Sequence, residues 1–362
     1  MPTYKELYSK ALDNGELSAE EGTALWDAPL PELMFIAHTL RQRRVPGKGV
    51  TWQIDRNINI TNVCCVRCLF CNFHAGPGGK PYVTTKAEYR EKINGLLAAG
   101  GDQVLLQGGL NPALSLQFYV NLFQWLKQEF PAVKLHALGP AEVLYLAQQD
   151  GRSVVETLKM LVAAGLDSLP GAGAEILSDR TRQIISPRKI TTAQWLDVMR
   201  SAQQLGLLTS ATMMYGHQET ISERMEHLVL LRNLKAEHSG PGGFMAFIPW
   251  PFQGKGTALA ARYAWRPVGA REHLRMVALA RIMLPNVPHI QSSWLTVGPQ
   301  IGLMALHYGA DDMGSIMLEE HVLAAAGTHY RLDKDGMRLA IRQAGFTPIL
   351  RDQAYRPRAD CE

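Results

Sequence analysis

The sequence predicts a parallel α/β fold: a TIM-like full or partial (β/α) barrel with a helical extension before it and a short addition after it. Three observations predict it. Short strand-like runs alternate with capped helical stretches over roughly 250 residues. The first run, RNINIT (56–61), places Ile58 and Ile60 on one side and Asn57, Asn59 and Thr61 on the other, as in a strand with an apolar outer face and a polar lumen. Four cysteines follow directly, at the strand end where such barrels carry their chemistry.

Residues 1–48 read as a helical segment. Ser18 and Glu21 form a capping box ahead of GTALWDA, and PELMFIAHTLRQRR spaces its apolar residues helically. VPGKG (45–49) breaks the pattern and reads as a linker into a barrel over 49–330. After 56–61, strands are expected at 102–107, 134–138, 168–174, 208–215, 244–250 and 289–297. Helices are expected between them at 86–99, 116–129, 154–164, 193–205 and 222–237. The pairs Thr85/Glu88, Thr191/Gln194 and Thr220/Glu223 start three of these helices, and several end at Gly100, Gly165 or Gly206. Residues 331–362 read as a C-terminal extension: a helix, a short extended segment and a polar tail.

Composition removes several function classes. A chain with 46% hydrophobic and 19% charged residues can bury a large core, which disorder would not allow. The net charge of +4 is mild and no basic run exceeds RQRR (41–44), so no nucleic-acid partner is expected. No apolar run reaches the length of a membrane span, and the N-terminus lacks the apolar core of a signal peptide. Of the five cysteines four are clustered, which is no disulfide framework. Reduced thiols and a cytoplasmic location follow.

The cluster NVCCVRCLFCNF (62–73) can be read as Cys64-x3-Cys68-x2-Cys71 or as Cys65-x2-Cys68-x2-Cys71. Either way three thiols act together, and the number is informative. Structural zinc takes four closed ligands, yet no second Cys pair exists and Cys361 sits in the polar tail. A 4Fe–4S cluster held by three thiolates instead of four keeps one iron open to a small molecule.

The first of those spacings resembles the radical S-adenosylmethionine (radical SAM) superfamily. The resemblance implies a 4Fe–4S cluster on Cys64, Cys68 and Cys71, with SAM chelating the open iron. It also implies that Phe70 packs by the adenine, that Gly108 and Gly109 in LLQGGLNP receive the SAM amino group, and that Glu175 contacts SAM. Further segments resemble one narrower group, the futalosine-pathway enzymes of menaquinone synthesis with their deazaflavin-pathway relatives. They are DRNINITNVC (55–64), LPGAGAEILSDRTRQIISPRK (169–189), SATMMYGHQET (210–220), FIPWPFQ (247–253), IQSSWLTVG (290–298) and HYGADDMGSIMLEEHVLAAAGT (307–328). PWPFQ and GSIMLEEHV point to the members that cyclise dehypoxanthine futalosine. Two positions depart from the group: Cys65 follows the first cysteine, and Asp311 stands where Asn is common.

The implied chemistry is reductive cleavage of SAM, hydrogen abstraction from the ribose C4′ of dehypoxanthine futalosine, and attack of the carbon radical on the benzoate ring. Loss of an electron and a proton then restores aromaticity. A flavodoxin or ferredoxin is the expected electron donor. The proton needs an acceptor. His217 just past a strand end, Asp312 in GADDMGS (alternatively a cap for a helix from Gly314) and His74 beside the cysteines are the candidates. For the substrate, Ser210, Thr212, Ser292 and Ser293 offer hydroxyls from strands, and Asn59 and Thr61 share the polar face of the first strand. Trp250, Phe252 and Trp294 are suited to pack on the aryl ring, and Arg180 and Arg182 read as surface residues. Rival readings are aminofutalosine synthase or a deazaflavin-pathway enzyme within the group, and a non-catalytic Fe–S or zinc module outside it.

Overall fold

The computed structural model describes residues 2–75, 79–319 and 330–359. Cys361 and the stretch 320–328 of the last family-like segment lie outside the described residues. The described residues form ten strands: β1 (Gly49–Gln53), β2 (Asp55–Asn59), β3 (Gln103–Gln107), β4 (Lys134–Ala137), β5 (Ser168–Leu169), β6 (Leu208–Tyr215), β7 (Gly243–Pro251), β8 (His289–Ile290), β9 (Asp312–Ser315) and β10 (Thr347–Leu350). Strands β2 to β8 form one seven-stranded sheet in sequence order, with every neighbouring pair parallel. This is the partial (β/α) barrel that the alternation predicts, each strand returning through a helix on the outside.

The alternation within strands sorts core from lumen. Ile58, Ile60, Val104, Leu106, Leu135 and Ala137 point outward and are buried under the helices. Asn57, Asn59, Gln103, Leu105 and Gln107 point inward and line a cavity. Helices expected at 116–129 and 154–164 have those bounds, and three more differ by one residue at each end or one end. The four capping boxes read from the sequence are all formed, and Thr3/Glu6 and Ser153/Glu156 add two. Gly165 ends its helix at φ 118°, a conformation that a side chain would strain.

Residues 45–48 lie in no helix or strand, and β1 begins at Gly49 and runs through Ile54 almost without a break into β2. Two expectations are corrected. The expected strand 168–174 stops at Leu169, and the chain turns at Ala172 and Gly173. The expected strand 289–297 stops at Ile290, and Trp294–Val297 is a helical turn after Ser293, which adopts φ 54°.

The seven-stranded sheet is not closed by its own edges. Strand β9 pairs with β1 and makes a parallel bridge, Gln291 to Asp312, beside β8. It thereby spans the gap between the two edges, β2 and β8. Strand β10, from the C-terminal extension, pairs with the other side of β1. The extension therefore belongs to the wall of the barrel.

Candidate functional site

The cysteine loop leaves the top of β2 and is tied down along its length. Thr61 is fully buried; its hydroxyl donates to Tyr82 O (2.7 Å) and accepts from the Val63 N–H (3.2 Å) and Asn111 Nδ2 (3.2 Å). The Cys65 N–H donates to Leu110 O, the Leu69 N–H to Ile185 O, and the Leu259 N–H to Leu69 O. Gly109 lies against this loop so closely that a Cβ there would stand 2.2 Å from Val63 O and 2.8 Å from the Cys64 Cβ. Glycine is thus required at 109 by contact with the loop, whatever else the turn binds.

Within the loop the four thiols separate into three and one. Cys64, Cys68 and Cys71 lie within electrostatic reach of one another. Burial pushes the Cys68 thiol up to about 12, with the nearby Lys189 ammonium pulling the other way. Burial also raises Cys71, opposed by the N–H groups of Phe73 and His74 at its sulfur. Cys65 is exposed and turned away, toward the Tyr145 hydroxyl, in a separate cavity of about 220 Å³ that Arg188 also lines. Among the described residues no three Cys, His, Asp or Glu side chains gather closely enough to hold a single metal ion.

Below the loop the lumen encloses a cavity of about 470 Å³. Nine of the sequence-derived candidates line it: Asn59, Phe70, Cys71, Gly108, Glu175, Ser210, Thr212, Trp250 and Ser293; Trp294 joins them. Glu175 adopts φ 40°, is buried and is ion-paired with Lys189. Burial disfavours its charge, but the Lys189 ammonium outweighs that and holds the carboxyl below its ordinary range. The Lys189 ammonium also lies 5.5 Å from the centre of the Phe70 ring. Arg182 is buried, not at the surface: its guanidinium donates to the carbonyls of Gly173, Ala174, Ile176 and Ile190 and so braces the loop that carries Glu175. Ser210 and Thr212 clasp Gly171, one accepting from its N–H (3.1 Å) and the other donating to its carbonyl (2.8 Å).

The structure does not bring the three acid–base candidates into this cavity. The His217 side chain is fully buried elsewhere, with Nε2–H donating to Met214 O (2.9 Å) and Nδ1 facing the Gln218 N–H (2.7 Å) and Glu219 (3.0 Å). Asp312 lies in β9 and caps no helix; it accepts from Arg351 Nε (2.6 Å), Arg351 Nη2 (3.2 Å) and the Thr51 hydroxyl (2.6 Å). His74 sits beyond the third cysteine, outside the cavity lining. Thr61, Gly109, Ser292 and Phe252 are also outside it, in packing roles. Arg180 pairs with Glu223, and Asp311 with Arg281 and His289 (2.5 Å).

Other residues take the lining positions. Asp55 continues the inward alternation of β2 one step further back, a signal the sequence carried. Glu142 accepts from the Gly108 N–H (3.1 Å), and burial raises its carboxyl to about 8. His136 is bonded through Nδ1 to the Ser168 hydroxyl, and burial lowers it to about 3. Arg351, Gln353 and Tyr355 close the floor from the C-terminal extension. Arg351 has no donor to spare: Nε and Nη2 bond Asp312, Nη2 also bonds the Tyr355 hydroxyl, and Nη1 bonds Gln53 and Asp352 O. No local signal marks it, since Gln53 and Arg351 are 298 residues apart in sequence.

Comparison with known proteins agrees with this geometry. The radical SAM superfamily model matches residues 58–231, and the CofH/MqnC C-terminal region model matches 241–362. Cyclic dehypoxanthine futalosine synthase of Streptomyces coelicolor is 40% identical over 96% of this chain and 87% of that one. The protein of the same name from Halalkalibacterium halodurans is 38% identical over 96% and 93%. The 5-amino-6-(D-ribitylamino)uracil–L-tyrosine 4-hydroxyphenyl transferase of Archaeoglobus fulgidus is 38% identical over 90% and 93%. Among solved structures, methylornithine synthase (PylB) shares the fold at a TM-score of 0.71 and 19% identity, over 94% of this chain and 97% of that one. The hydrogenase maturase HydG does so at 0.74 and 14%, over 95% and 75%.

Proposed function

The chain belongs to the radical SAM superfamily, and on that premise we propose that it converts dehypoxanthine futalosine to its cyclic form. The observation that carries the reading is the likeness, along nearly the whole chain, to two bacterial proteins that bear that name. The site supports it with a thiol trio, of which Cys71 lines a cavity that has both aromatic and hydrogen-bonding walls.

Cys64, Cys68 and Cys71 are the residues that would hold a 4Fe–4S cluster. Three thiols within electrostatic reach of one another, on a loop pinned by backbone hydrogen bonds, fit that group in donor chemistry, and Cys65 faces away from them. Bound there, the cluster and SAM would supply the radical chemistry for hydrogen abstraction from the substrate ribose. The chain's own part is positioning and exclusion of water. Phe70 offers a ring face, and the Glu175–Lys189 pair sets two opposite charges beside it. Gly108 presents its backbone with no side chain over it, fixed by Glu142. Trp250 and Trp294 give the aryl ring of the substrate a wall to pack on.

His136 takes the place of the three acid–base candidates. Its Nδ1 is engaged by Ser168, so Nε2 is the atom that receives the proton released when the ring regains aromaticity. Burial keeps this imidazole neutral and, by lowering it to about 3, makes it a weak base, so it can take the proton only in passing on its way out of the site. Flavodoxin or ferredoxin remains the electron donor by family likeness.

The A. fulgidus transferase, equally similar to the second synthase in identity, favours a second reading as a deazaflavin-pathway transferase. One experiment tests both. Protein reconstituted and reduced without oxygen is incubated with SAM and either dehypoxanthine futalosine or tyrosine plus the ribitylaminouracil. The cyclase reading expects deoxyadenosine together with a product lighter than dehypoxanthine futalosine by two hydrogens. Deoxyadenosine without that product, or a coupled product from the second pair, overturns it.

A further inference from the structure

Three oxygens on the cavity lining have no hydrogen-bond partner among the described residues: Asp55 Oδ1, Asn59 Oδ1 and Ser293 Oγ. All three residues are more than nine-tenths buried. Asp55 and Ser293 belong to one corner of the lumen, the seam where β9 joins β2 to β8. The Asp55 N–H donates to the Ser315 hydroxyl of β9 (3.1 Å), and Trp294, next to Ser293, donates from Nε1 to Ser315 O (3.1 Å). Asn59 stands two inward steps along β2 from Asp55.

We propose that Asp55 and Ser293 at this seam, with Asn59 further along the same wall of the lumen, form the subsite for the hydroxyl groups of a sugar or polyol moiety. The inference rests on the reading above and gives the substrate an orientation within it. Two of the unpaired atoms are acceptors only, and the third is a hydroxyl, so their complement is a set of O–H donors. A carboxylate would set acceptor against acceptor and charge against Asp55, so the benzoate end lies elsewhere in the cavity. The orphan oxygens are not packing accidents of one residue. The other oxygen of Asp55 is bonded by Gln53 (2.9 Å) and Gln103 (3.4 Å), which fixes the carboxyl and leaves Oδ1 over. Ser293 holds its hydroxyl from a left-handed backbone (φ 54°, ψ 36°), a strain that persists at positions built for a ligand. Burial raises the Asp55 carboxyl, opposed by the side chains of Ser315, Gln53 and Gln103 around it.

The test measures binding to the reconstituted holoprotein with SAM, by calorimetry without oxygen. The ligands are dehypoxanthine futalosine and analogues each lacking one sugar hydroxyl. Wild type is expected to lose about tenfold in affinity for at least one analogue. Removing Asp55 risks the fold because it also braces Gln53 and Gln103, so Asn59→Ala and Ser293→Ala carry the comparison. Each is expected to bind the parent about tenfold more weakly, and to show no further loss for the analogue whose hydroxyl it serves. Equal losses for parent and all analogues, or wild-type binding indifferent to every hydroxyl, overturns the subsite. Turnover of the parent in the same samples scores the underlying reading separately. Hydroxyl-dependent binding without turnover removes the cyclase and keeps the subsite, and no binding at all overturns both.

Discussion

At Cys64 and Cys65, two adjacent thiols differ in everything but their chemistry. One shares an electrostatic neighbourhood with Cys68 and Cys71, and the other faces Tyr145 in the open. Cys64→Ala, Cys68→Ala and Cys71→Ala are each expected to lose the iron and the visible absorbance of the reconstituted protein, and Cys65→Ala to keep both. An iron-free Cys65 variant beside an iron-loaded Cys64 variant would reverse the assignment. Glu142 gives a second test at this scale. Its carboxyl ionises at 4.5 when unperturbed and near 8 when folded, because burial disfavours the charge. Between those values the unfolded chain binds fewer protons, so stability falls as pH rises from about 4.5 to about 8, by at most roughly 1.4 kcal/mol per unit, and then levels off. Chemical denaturation of Glu142→Gln over that range is expected to lack this component, and parallel curves for the two proteins would sink the argument.

Among the elements, β2 was the most readable, because a period of two with Ile outward and Asn inward has one physical interpretation. Its lumen face runs from Asp55 to Asn59; Thr61 keeps the period but is spent on pinning the loop. The segment after β8 was misread, since IQSSWLTV has strand composition throughout, and only tertiary packing forces Ser293 out of line. The three acid–base candidates failed for a related reason. His217, Asp312 and His74 have the right chemistry and lie near strand ends, but buried partners had already claimed two of them. The turn after β3 carries its own prediction. Gly109→Ala puts a methyl 2.2 Å from Val63 O, so the cysteine loop must shift. The cost is about 1–3 kcal/mol in denaturant unfolding, with reduced iron retention. Unchanged stability and full iron would show that the loop gives way freely.

For the whole molecule, the C-terminal extension is what completes the cavity. Strand β10 lies on β1, and Arg351 reaches back to Asp312 and Gln53 while lying 3.8 Å from the Tyr355 ring centre. Arg351→Ala would leave Asp312 buried and unpaired, a loss of about 3–5 kcal/mol. The denaturation midpoint measures it, and a shift corresponding to under 1 kcal/mol would argue against the buried pair. Among the described residues no helix is long and apolar enough to cross a membrane.

The sequence by itself determined the strand–helix alternation, the helix caps, the polar face of β2 and the thiol motif. Each is written in residues a few positions apart, where backbone geometry alone turns spacing into direction. Tertiary structure alone decided which side chains share the lumen. The contacts that settle it join positions as distant as Gln53 and Arg351, and burial, which no local pattern encodes, set the charge states of Glu142 and His136 and turned His217 and Arg182 into internal braces.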